Sequence, residues 1–192
     1  MPDLAEVWSY INPYMLYGRH LGFKGQFERL LAERDPKALS LHADVEEVKR
    51  LAAGFMKVRA VWRFFEAERD GNSIRLFEAQ SGDPIHVFSF GRQPMANGLC
   101  LSDYVLPADG PRRDSIALFV VTAGEGVRQR AEDAKVAGRF FEAHALQALA
   151  IETAEGAAEW LPSTHPGGLG LSRSAGHDDE RAVHGAVSRK AV

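Results

Sequence analysis

Between residues 58 and 78 the chain spells two strands joined by a tight turn. Val58, Ala60, Trp62 and Phe64 alternate with Arg59, Val61, Arg63 and Phe65, the period-two spacing of a strand with two distinct faces. Asp70-Gly71-Asn72 follows, and Gly and Asn tolerate the positive φ that a hairpin turn demands. The run 73–78 returns with Ile74, Leu76 and Glu78 on one face and Arg75 and Phe77 on the other. Strands joined this directly lie antiparallel, so the pattern argues against alternating βα units. Further strands are expected over 85–90 and 115–122. The second is apolar on both faces, which predicts a central position.

Helical spacing brackets this sheet. Residues 26–33 carry Phe27, Leu30 and Leu31 on one face, and 43–55 carry Val45, Val48, Leu51 and Phe55 behind a cap at Asp44. From 126 to 161 the chain reads as one long helix, or two joined at Gly138, with a stripe of mostly small residues. Gly138 and Gly156 are weak points there, each costing about 1 kcal/mol against Ala. The fold class is therefore α+β: a twisted antiparallel sheet flanked by helices, with a long C-terminal helix and a disordered tail.

The tail is expected because composition changes abruptly after Leu161. Residues 162–192 hold no aromatic side chain and few large apolar ones, too little to offset the entropy of ordering. The chain thus divides into a domain over 1–161 and a tail over 162–192. At 192 residues, 45% apolar, 26% charged and net −3, it is neither a polybasic nucleic-acid binder nor wholly disordered. It has no apolar run of membrane-spanning length and no signal-peptide pattern at its start, so a soluble cytoplasmic protein is expected. One cysteine, Cys100, permits no internal disulfide.

No familiar catalytic motif occurs: no phosphate-cradling loop, zinc helix or nucleophile elbow. His165, His177 and His184 lie in the tail without the spacing of metal ligands. His86 reads as a core or edge histidine, and His42 as a solvated residue ahead of a helix. His20 and His144 could face a cleft, but nothing selects them. Cys100, between Leu99 and Leu101, reads as a buried small hydrophobe. Arg19, Arg92 and Gln93 could bind a carboxylate or tie loops together. No catalytic residue and no metal site emerges from the residues alone.

Three segments together resemble one family, the C-terminal reactivation (AdoMet-binding) domain of cobalamin-dependent methionine synthase. The first is Tyr10-Ile11-Asn12-Pro13 with Met15-Leu16 and Gly22-Phe23-Lys24-Gly25. The second is 61–67 with the turn at 70–72, Ile74 and Leu76, although Glu66 stands where the family commonly has Pro. The third is Phe90-Gly91-Arg92-Gln93, Asn97, and Leu99-Cys100-Leu101-Ser102-Asp103-Tyr104-Val105, similar to the family's Arg-Gln followed by Cys-Leu-Ala-Asp-Phe-Val. The resemblance covers roughly residues 5–161.

The resemblance implies a module that binds S-adenosylmethionine and presents its methyl group to cobalamin held by a partner module. It implies that flavodoxin or another reductant supplies an electron to cob(II)alamin. It implies two cofactor-binding positions here: Asn12, where the family has an Asp, and Glu155, which otherwise reads as a solvated helix carboxylate. The family's Arg-x-x-x-Gly-Tyr motif and a later tyrosine pair are not found in these residues. The expectation is a truncated methionine synthase module, with weak or lost AdoMet affinity and no catalysis alone. A non-enzymatic partner-binding scaffold is the alternative.

The genetic code bears on the tail. Joining the last two bases of each codon to the first of the next, permitted codons from Gly168 onward spell DWGFPDPPDMTMNERFTARYRGKRY. Leu169 before Gly170, for example, allows CTG-G and hence TGG for Trp. The string resembles the family segment that leads into the Arg-x-x-x-Gly-Tyr motif. The expectation is that residues from about 162 onward are translated out of frame.

Overall fold

The computed structural model describes residues 3–78 and 82–164. In chain order it has α1 (Leu4–Trp8), a π-helix (Tyr14–His20), α2 (Phe27–Ala32), α3 (Pro36–Ala53), β1 (Arg59–Asp70), β2 (Ser73–Phe77), β3 (His86–Ser89), a 3-10 turn (Leu101–Tyr104), β4 (Asp114–Thr122), α4 (Val127–Val136) and α5 (Phe140–Thr164). The strands form one sheet of order β3-β2-β1-β4, antiparallel between β1 and β2 and between β2 and β3, so the chain is α+β.

The hairpin forms where the turn residues predict it. Asp70 pairs with Ser73 and Glu66 with Phe77, and Gly71 takes φ +57°. Glu66, the departure from Pro in the family pattern, accepts from Arg113 Nη1 at 3.1 Å. That guanidinium also lies 3.4 Å from the centre of the Phe77 ring.

Three expectations need correction. β4 is not central: it ends the strand order, and Leu118, Phe119 and Val120 are exposed, because two apolar faces do not distinguish an inner strand from an outer one. The third helix starts at Pro36 rather than near Ala43. Asp35 caps it by accepting from the amides of Lys37 and Ala38 at 3.0 and 2.9 Å, with Pro36 in the first turn, where its missing N–H costs nothing. His42 therefore lies within this helix, stacked 6.4 Å from the Tyr17 ring.

The described residues fall into two compact units, one of residues 3–61 with 119–164, the other of 62–118. In the first, Val7, Val48, Ala52, Met56, Leu146, Leu149 and Ala157 share a core, and Leu16, Tyr17, Phe27, Ala38 and Val45 form a second cluster. The small-residue stripe lets helices approach closely: Ala131, Ala134 and Ala143 bury together between α4 and α5. Gly138, with φ +77°, lies at the expected joint between these helices. In the second unit Ala67, Ile74 and Leu76 are buried beneath Phe65, Phe88 and Phe90. Helix α5 runs through Leu161 to Thr164; the expected disordered, frameshifted tail lies, from 165, outside the described residues. No helix among the described residues is long and apolar enough to cross a membrane.

Candidate functional site

One stretch of α5, from His144 to Gly156, receives the whole N-terminal segment. Gly156 is the point of closest approach: a β-carbon there would stand 2.9 Å from the carbonyl oxygen of Val7 and 3.5 Å from the amide of Ile11. This explains a glycine inside a helix, which sequence alone marks only as a weak point. One turn earlier, the Trp8 indole N–H donates to Thr153 Oγ1 at 3.0 Å, and the Thr153 hydroxyl donates to the carbonyl of Leu149 at 2.6 Å.

Asn12 follows directly on the segment that crosses Gly156, and Glu155 directly precedes that glycine. Tight backbone contact thus brings together the neighbourhoods of two residues 143 positions apart in the chain. Asn12 is half-buried and its Oδ1 accepts from the Tyr14 amide at 3.1 Å, which starts the π-helix. Glu155 is exposed. An amide and a carboxylate are acceptors suited to a cationic ligand, the amide without the assistance of formal charge.

Glu152, which the sequence did not single out, belongs here with His20 and His144, which it named as able to face a cleft without selecting them. Glu152 is 3% exposed, and its Oε1 lies 3.0 Å from His20 Nε2 at the end of the π-helix. Burial pushes the Glu152 carboxyl above its ordinary range; the hydrogen bond to His20 opposes this, and the charge of Glu155 adds to it. His144, two turns earlier on α5, donates from Nε2 to the main-chain carbonyl of His20 at 2.7 Å. Periodicity could have placed 144 and 152 on one helix face, but no local signal links either to residue 20.

The other candidates lie outside this stretch, all but Arg19 in the second unit. Arg92 donates to both carboxylate oxygens of Asp103 at 2.6 and 2.7 Å, to the carbonyl of Gly98 at 2.8 Å and to Asn72 Oδ1 at 3.1 Å. Gln93 Oε1 accepts from the amide of Leu99 at 3.4 Å. Arg92 and Gln93 thus tie the hairpin turn, the 91–99 loop and the 3-10 turn together. Cys100 is buried, accepting from Ser102 Oγ at 3.1 Å, while His86 is exposed on β3 and Arg19 lies 6.0 Å from the Tyr14 ring. Among the described residues no cluster of His, Cys, Asp and Glu has the makings of a metal site.

The pattern has a known counterpart. The family model for the vitamin B12 dependent methionine synthase activation domain matches residues 3–165. The chain belongs to this family. Its fold also matches a crystal structure of the MetH reactivation domain bound to AdoHcy, with a TM-score of 0.77 at 21% identity, over 95% of this chain and 59% of that one. The chain therefore spans about three-fifths of the length of that solved relative.

Proposed function

We propose that this chain is a remnant or split module for the AdoMet-dependent reductive reactivation of cob(II)alamin in methionine biosynthesis. The observation that carries the reading is the crossing at Gly156, which sets the Tyr10–Ile11 backbone against the α5 turn that bears Glu155, in a chain of this family. AdoHcy in the solved relative supports the ligand class. When bound, AdoMet would supply its methyl group to cobalamin held by a separate module and leave as AdoHcy, the one electron from flavodoxin or another cytoplasmic reductant going to cob(II)alamin to give the cob(I) state that accepts the methyl. The protein binds and orients rather than carrying the hard chemistry itself.

The residues fit such a ligand in chemical type. AdoMet carries an ammonium and a sulfonium; the segment that crosses Gly156 leads into the half-buried Asn12 amide, and α5 bears the exposed Glu155 carboxylate with a second, buried carboxyl at Glu152. We take Asn12 as the acceptor for the ammonium and Glu155 as the residue toward the ligand and corrin. Affinity is weak in this chain, since the arginine and tyrosine ligands that the resemblance implies do not occur in its sequence. Titration with AdoHcy, followed by amide chemical shifts of the full chain, tests the location. Perturbations centred on residues 10–13 and 152–156, reduced in Glu155→Gln, are expected. Saturable perturbations confined to residues 62–118, or none at millimolar ligand, would overturn the assignment.

A further inference from the structure

We propose that His20 and Glu152 are a positioning pair: the buried Glu152 carboxylate anchors the end of the π-helix to α5 and thereby fixes where Asn12 stands relative to Glu155. The inference rests on the functional reading above for its ligand, but not for its geometry.

The π-helix is the element that needs anchoring. Its i→i+5 bonds, such as Leu21 N–H to the Leu16 carbonyl at 3.1 Å, wind less favourably than those of an α-helix, and such turns recur at functional sites. Asn12 sits at its entrance, where both its Oδ1 and its main-chain carbonyl accept amides, from Tyr14 at 3.1 Å and Leu16 at 3.0 Å. His20 is its last residue. Relaxation to α-helical winding shifts the phase of one end against the other by about 100° per residue of slippage. An element with Asn12 at one end therefore holds its phase only if the other end is fixed.

That end is fixed twice from one face of α5. Glu152 takes the His20 ring at 3.0 Å, and His144 takes the His20 carbonyl at 2.7 Å. The carbonyl can only accept, so His144 carries its proton on Nε2. A carboxyl as buried as Glu152 is costly unless it is hydrogen-bonded, and simple packing at this position is met more cheaply by an apolar side chain. The groups acting electrostatically on it are His20 from the π-helix and Glu155 from α5 itself. From α1, Trp8 reaches the adjacent Thr153, and from α3, Lys49 lies 5.8 Å from the Trp8 ring.

The test compares the wild-type full chain with Glu152→Gln and Glu152→Leu, by amide hydrogen exchange without ligand and by AdoHcy titration. Glu152→Leu should exchange the Leu16, Leu21 and Phe23 amides at least tenfold faster while those of α4 are unchanged. Its AdoHcy affinity should fall about tenfold or more. Glu152→Gln, which can still accept from the ring, should stay within about threefold of wild type in both. Unchanged protection of the π-helix in Glu152→Leu would overturn the pair as an anchor. Lost protection with undiminished AdoHcy affinity would overturn its positioning role. Failure of the wild type to bind AdoHcy would instead refute the functional reading, with the exchange arm still deciding the anchor.

Discussion

Gly156 in α5 lies against the carbonyl oxygen of Val7, so close that a β-carbon would stand 2.9 Å away. Because that neighbour is backbone, it cannot rotate aside. Gly156→Ala gains about 1 kcal/mol of helix propensity but overpacks the crossing by about 1–3 kcal/mol. We expect a net loss of about 1 kcal/mol in urea denaturation, with weaker AdoHcy perturbation at residues 10–13. A variant more stable than wild type would contradict the close approach.

Asp103 should make the second unit acid-sensitive. Its hydrogen bonds from Arg92, and then from the Cys100 amide at 2.9 Å, hold the carboxyl well below the usual carboxylate range. A carboxyl lowered on folding adds stability above its unfolded value, about pH 4, and loses it as pH falls through the folded value. Asp103→Asn should therefore be less stable than wild type at pH 7, with the difference shrinking below about pH 4. Urea midpoints measured from pH 7 to pH 2 decide it; curves that stay parallel would exclude the effect.

Much of the fold was legible because its signals are local. Asp70-Gly71-Asn72 closes the hairpin by turn chemistry alone, and Gly138 marks the joint between α4 and α5 for the same reason. The start of α3 is equally local, since Asp35-Pro36 is a cap followed by a first-turn proline, although the apolar spacing around Val45 points to a later start. The π-helix has no such signature. Nor has the pairing of His20 with Glu152, 132 residues apart, which tertiary packing alone creates. Asn12 and Glu155 came from the family resemblance; what the structure adds is the glycine crossing between their neighbourhoods.

Nucleotide sequencing tests the reading of residues 162–192. If these residues are out of frame, the bases after the Leu161 codon, read one step forward, encode an Asp-Trp-Gly-Phe-Pro stretch. They then continue toward an Arg-x-x-x-Gly-Tyr motif. Any other amino acids in that frame would refute the shift.

Calorimetric titration of the full chain with AdoMet decides whether this chain holds the ligand, and how tightly. If the arginine and tyrosine contacts that the resemblance implies are absent, at about 1.5–3 kcal/mol each, two or three of them place the affinity several powers of ten below that of a complete site. Weak, saturable binding is expected, with a dissociation constant of about 0.1 mM or higher, weakened further by Glu155→Gln. Low-micromolar binding, or binding indifferent to Glu155, would contradict it.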